Sequence, residues 1–249
     1  MPRGLCKLCR KEGNLRRSHL LPAALYSAKS VIMNRTVSLI TSRQVADYVL
    51  CGECEQLFSK NGEKWYLAQV STQQGFPLLD KLNLAIPIHP SHPQVYSAEA
   101  VAVDTKKLGY FVLSVLWRAS VHTWRLHGQE LHVSLAEFEE PVRLYLHGDC
   151  GFPENVFITA GACTDFGSQG ISFVPSRLTG LAVTAYGLLT NGLYSRTWVG
   201  PNVPKEIRES CCVTSARKPL FRGSCEDNTI FAFRDIYKNT KIARNLRPF

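Results

Sequence analysis

No window of this chain approaches 18 uninterrupted apolar residues, which excludes a membrane-spanning helix on sequence grounds. The richest stretch, LGYFVLSVLWRASV, is broken by Arg118 and stops short. The opening MPRGLCKLCRKEG lacks the apolar core of a secretory signal, so a cytoplasmic protein without membrane contact is expected. Internal repeats and low-complexity tracts are missing too. There is no G-x-x-x-x-G-K-[ST] phosphate loop, no dinucleotide fingerprint and no serine-nucleophile elbow, which disfavours nucleotide hydrolysis and dehydrogenase chemistry.

What is present is globular: 249 residues, 45% hydrophobic and 20% charged. The net charge is +9, and the excess lies at the two ends. Residues 1–64 carry eleven Lys/Arg against five Asp/Glu, and residues 205–249 carry ten against five. An anionic partner fits that balance, with nucleic acid the commonest. Arg16 and Arg17 near one end, and Lys241 and Arg244 near the other, are the candidate phosphate contacts. The same charge would also serve a solvated surface.

Nine cysteines, an odd number with no export signal, argue against a disulfide framework. Four of them form two C-x-x-C pairs, Cys6/Cys9 and Cys51/Cys54, with 41 residues between the pairs. Each pair offers two thiolates on one tight knuckle, and two knuckles complete a closed tetrahedron. That is a structural zinc site, with no open position for water or substrate. Cys150, Cys163, Cys211, Cys212 and Cys225 show no ligand spacing.

The pattern predicts an α+β protein in three parts. Residues 1–70 form the zinc module, with strand character in TVSLITSRQVADYVL and a helix in EQLFSKNGEKWYLAQV that Gly62 weakens. Residues 71–99, with Pro77, Pro87, Pro90 and Pro93, read as an extended linker. Residues 100–249 form a second α+β domain. Within it, Leu108, Phe111, Val112, Val115, Leu116 and Ala119 mark a buried helix. A further helix should start at Ser134, with Glu137 completing a capping box, and break or restart at Pro141. Short antiparallel strands NVFITAG, GISFVPS, LAVTAYGLL and LYSRTWV follow, and then a basic C-terminal helix with Lys238, Lys241, Arg244 and Arg247.

The order C-x-x-C, S-H-L-L-P, L-C-x-x-C-E and then a helix resembles the zinc-containing HNH (ββα-metal, treble-clef) endonucleases. It is carried here by His19-Leu20-Leu21-Pro22 and Leu50-Cys51-Gly52-Glu53-Cys54, about a quarter of the chain. The whole chain is also similar to a group of bacterial proteins with the same knuckles and a later helix like LSVLWRAS. The resemblance implies a treble-clef module and hydrolysis of DNA, in preference to RNA, with His19 as general base. It also implies one Mg2+ or Mn2+ ion. Ser18 stands where an acidic residue or His usually precedes the base, so Glu55 and Glu63 become the expected ion ligands, with Asp47 a further carboxylate in the region. A small protein of this kind would suit bacterial defence against mobile DNA. The rival reading is a non-catalytic zinc module that binds nucleic acid, a protein partner or a second copy of itself. His19 would then be a structural histidine, and Glu55 and Glu63 a solvated helix face.

Overall fold

The computed structural model describes residues 1–26, 31–33, 38–40, 43–70, 72, 74–91, 93–164 and 171–223. Strands β1 (Arg3–Leu5) and β2 (Glu12–His19) flank the first cysteine knuckle. β3 (Val31–Met33) and β4 (Ser38–Ile40) follow, and then β5 (Ala46–Cys51). β1, β2 and β5 make a three-stranded antiparallel sheet. Its chain then passes directly from Cys51 into helix α1 (Gly52–Phe58).

A wide, π-type turn over Ser59–Glu63 continues α1 into α2 (Lys64–Leu67). Gly62 explains where that turn sits. A Cβ on Gly62 would lie 2.9 Å from the backbone N of Phe111, so only glycine admits so close a crossing. The crossing element is α4 (Thr105–Val121), the apolar helix expected from its periodicity. Asp104 caps it, accepting from Lys107 N at 3.1 Å. Its residues from Leu108 to Ser120 are buried on all sides. Phe111 stacks on Tyr66 of α2, and Phe58 of α1 meets Tyr110 and Trp117 edge-on.

The stretch expected to be an extended linker holds two regular elements. α3 (Pro77–Leu84) starts with proline at its first position, where a missing N–H costs nothing. β6 (Gln94–Ser97) pairs antiparallel with the distant strand β13 (Pro219–Gly223) at one edge of the main sheet. After α4 come a small hairpin, β7 (Trp124–Leu126) and β8 (Gln129–Leu131), and then α5 (Glu139–His147). Ser134 starts a 3-10 turn over Ala136–Phe138 instead of the α-helix itself, accepting from Ala136 N. Pro141 does not break α5. It lies in the first turn, where no carbonyl waits for its N–H.

β9 (Val156–Cys163), β10 (Ile171–Leu178), β11 (Thr184–Thr190) and β12 (Leu193–Val199) lie close to the expected strands. A short helix α6 (Lys205–Glu209) and strand β13 (Pro219–Gly223) complete the described chain. Asn191 and Gly192 form the two-residue turn between β11 and β12, both at positive φ, as a type I′ hairpin needs. Pro175 sits where the β10–β11 register shifts, at a point that needs no N–H donor.

The main sheet runs β4-β3-β10-β11-β12-β9-β13-β6. Its β3–β10 and β9–β13 pairs are parallel and the rest antiparallel. β3 and β4 therefore leave the cysteine-rich module and join the larger sheet. One contiguous apolar core extends from Cys6 to Leu220, so the division expected at residue 70 is not a division of the core. The architecture is mixed α+β. Among the described residues no helix is long and apolar enough to cross a membrane. The expected basic C-terminal helix, with Lys241 and Arg244, lies outside the described residues, as do Cys225 and His92.

Candidate metal centre and the residues around His19

The four cysteines of the two C-x-x-C pairs converge. Cys6 and Cys9 sit on a turn closed by Arg10 N donating to Cys6 O at 2.9 Å, with Arg10 itself at positive φ. Cys51 ends β5 and Cys54 lies in the first turn of α1. Their four sulfurs all lie within 4.8 Å of one another, and the Cys9 and Cys51 Sγ atoms are 3.9 Å apart. A tetrahedron with arms of about 2.3 Å has edges of about 3.8 Å, so the spacing fits an ion such as zinc. Cys51 N also donates to Cys6 Sγ at 3.3 Å, a bond that favours a thiolate.

The thiols' own titration is frustrated. A hydrogen bond from Cys54 holds Cys6 down to about 4, while the same bond pushes Cys54 up and burial pushes Cys9 up. Four crowded sulfurs cannot all ionise against one another. A divalent cation removes that obstacle, which is the ordinary coupling of metal binding to deprotonation.

His19 ends β2, half-buried. A bulge shapes the approach to it: Arg16 pairs with Leu50 and Arg17 with Tyr48, so Val49 is the extra residue. Alternation is broken on both strands. Val49 and Leu50 are both buried, and Arg16 and Arg17 both face solvent. The two arginines expected to meet phosphate are therefore exposed side by side, just before Ser18 and His19.

Ser18 is fully buried and its Oγ accepts from Leu50 N at 3.1 Å. The Glu55 carboxylate on α1 lies near enough for the Ser18 hydroxyl to favour its charged form. Burial pushes the Glu55 carboxyl above its ordinary range; Ser18, Arg118 and His19 act in the opposite sense, and Glu63 adds to the rise. Glu55 Oε1 is shielded from solvent and has no hydrogen-bond partner among the described residues. Glu55, Ser18, His19 and Glu63 thus occupy one neighbourhood.

They do not form a second preassembled ion site. Among the described residues the cysteines are the only group of three or more potential ligands gathered within 4.8 Å. Glu63, expected as an ion ligand, accepts at Oε1 from Arg118 Nη2 at 2.8 Å. Arg118 is 1% exposed, and a guanidinium so buried must have a counter-charge. Its Nη1 donates to His19 O at 2.7 Å, and the group lies 5.2 Å from the Phe58 ring centroid. The His19 ring itself bonds Gln44 Oε1 through Nε2 at 2.8 Å. Asp47 is also engaged, with Oδ2 2.9 Å from His122 Nε2 and Oδ1 accepting from Tyr48 N.

Sequence reasoning missed Arg118, Gln44 and the Asp47–His122 pair as members of this neighbourhood. One signal was available: an arginine inside the largely apolar stretch of residues 108–121 must find a partner somewhere. Compared with protein-family models, with curated proteins and with solved structures, the chain matches none.

Proposed function

We propose that this chain is an HNH-like, divalent-cation-dependent endonuclease acting on DNA, with its cysteines holding one structural zinc ion in a treble-clef module. The observation that carries the reading is the Glu55 carboxylate. It is shielded, has an oxygen without a partner, and lies among Ser18, His19 and α1 at the end of β2. An orphaned carboxylate oxygen within electrostatic reach of an imidazole fits a hard cation held by one protein carboxylate, with water and substrate phosphate filling the other positions. Such an ion, Mg2+ or Mn2+, would neutralise charge on the scissile phosphate. His19 takes the proton of the attacking water, turning away from Gln44 to do so. Arg16 and Arg17 contact the backbone phosphates. Glu63 is a support and not a ligand, because Arg118 holds it.

Plasmid and linear DNA, with magnesium or manganese, form the test. His19→Ala should keep the zinc and lose about two to four orders of magnitude in cleavage. Glu55→Gln should raise the metal concentration needed for half-maximal rate. Equal cleavage by wild type and His19→Ala would refute the enzyme.

The second reading is a non-catalytic module that binds nucleic acid or a protein partner. It is favoured by the bonds that already satisfy His19 and Glu63. DNA binding without cleavage under any metal would support it.

A further inference from the structure

Tyr48 on β5 is 46% exposed and has no part in the function argued so far. Beyond the bulge at Val49 the β2–β5 ladder is regular: Arg17 pairs with Tyr48, Ser18 with Asp47 and His19 with Ala46. Side chains alternate across a ladder, so Tyr48, Arg17, Ala46 and His19 share one face, and Ser18 and Asp47 the other. Asp47, the only acid among these residues, is thus turned away from Tyr48 and is engaged by His122.

A second cation comes from the first cysteine knuckle. Lys7 N donates to Val49 O at 3.1 Å, which ties the exposed Lys7 to the residue after Tyr48. Arg17, also exposed, lies directly across the ladder from the ring. Among the described residues neither Lys7 nor Arg17 enters an ion pair. An exposed phenol ring flanked by an arginine and a lysine matches a nucleotide part for part. The ring takes the face of a base, and the cations take the adjoining phosphates. Pairing decides which form of DNA can use it. In a duplex the faces of each base are covered by stacked neighbours, whereas the bases of a single strand can splay out onto an aromatic side chain.

We infer that Tyr48, flanked by Arg17 and Lys7, is a base-stacking platform that selects single-stranded DNA. This rests on the nucleic-acid part of the reading above and not on cleavage. Tyr48 and His19 are diagonal neighbours on the ladder, roughly 7–8 Å apart, so a base held on the ring keeps its own backbone close to His19.

Fluorescence anisotropy with a labelled oligothymidylate, and with the duplex it forms with oligoadenylate, gives the test. Magnesium and manganese are left out, so that binding is read without cleavage. Tyr48→Ala, at an exposed position, should weaken single-strand binding by about 5- to 150-fold, leave its salt slope unchanged and affect the duplex far less. Tyr48→Phe should bind as wild type does, because any aromatic face stacks. Arg17→Gln and Lys7→Gln should each flatten the single-strand salt slope by about 0.7, the share of one phosphate. Tyr48→Trp, which keeps an aromatic face, should bind and show its added emission quenched at saturation. An unquenched indole overturns the platform whatever the alanine variant does. Unchanged single-strand affinity of Tyr48→Ala, or an equal loss on the two forms at an unchanged thermal midpoint, overturns it too, while binding itself survives. Wild-type protein that binds neither form at low ionic strength sinks the nucleic-acid reading and the platform together, and leaves the face to a protein partner.

Discussion

Replacing Arg118 by Met keeps most of the side chain's apolar length and removes its charge and its donors. The loss can be worked out from its contacts. Three donated hydrogen bonds disappear: to Ser114 O at 3.3 Å, His19 O at 2.7 Å and Glu63 Oε1 at 2.8 Å. The placement of the guanidinium against Phe58 goes as well. Glu63 would be left as an uncompensated carboxylate, its side chain 15% exposed. Removing one partner of a buried ion pair costs roughly 3–5 kcal/mol. Because Glu63 retains some contact with water, the lower end of that range applies, about 3 kcal/mol. At ~2–4 °C per kcal/mol for a chain of this size, the thermal midpoint should fall by about 6–12 °C. Urea unfolding followed by tryptophan fluorescence measures the loss directly, since Trp117 and Trp124 lie beside the group. The double variant Arg118→Met/Glu63→Gln removes the stranded charge and should recover about 1–2 kcal/mol of it. A single-variant loss below about 1 kcal/mol, or a double variant no better than the single one, would show that the pair is not a buried lock.

Other consequences are equally direct. Gly62→Ala must push its new Cβ into the Phe111 backbone at 2.9 Å, so stability should fall by about 1–3 kcal/mol in the same urea assay. Cys51→Ser removes one of the four clustered cysteines, and elemental analysis should find the zinc expected in the wild-type chain lost from the purified variant. Charge reversal at Arg16 and Arg17 should weaken duplex binding and lower the slope of log affinity against log salt by about 2, read by titration at several ionic strengths. An unchanged slope would remove these two residues from the interface.

The elements that sequence reasoning found are those whose cause is local. The two C-x-x-C pairs carry their own geometry, Asn191-Gly192 dictates its turn, and the apolar positions of α4 repeat at helical spacing. What it missed depends on partners far along the chain. β3 has ordinary strand composition, but its neighbour β10 begins at Ile171, and nothing local names that partner. α3 was hidden by reading its proline as a linker residue instead of a helix start. The His19 neighbourhood was half legible. The motif marked His19 and Glu55, but whether Glu63 faces an ion or an arginine depended on Arg118, 55 residues away.

The same long-range contacts bear on what a metal ion at the four cysteines would stabilise. Helix α5 reaches the first knuckle, where Arg143 Nη1 donates to Leu8 O at 2.6 Å, and Glu140 accepts from both Arg143 and Arg10. α4 reaches the end of β2, where Arg118 donates to His19 O. β3 and β4 are strands of the main sheet, and Cys6, Leu8 and Cys54 lie in the same core as Leu220. An autonomous finger would melt alone on losing its metal; here the knuckle and the large sheet share one core and two buried arginine contacts. Zinc in a four-thiolate site contributes ~10–16 kcal/mol at neutral pH, which is as large as the whole stability of a typical domain at about 5–15 kcal/mol. Removing the ion should therefore unfold the shared core and not the first 70 residues alone. Hydrogen exchange on chelator-treated protein should show β9, β11 and β12 losing protection together with β2 and β5. If the large sheet keeps its protection while the cysteine module exchanges freely, the shared core is not a cooperative unit and the arginine contacts are only surface docking.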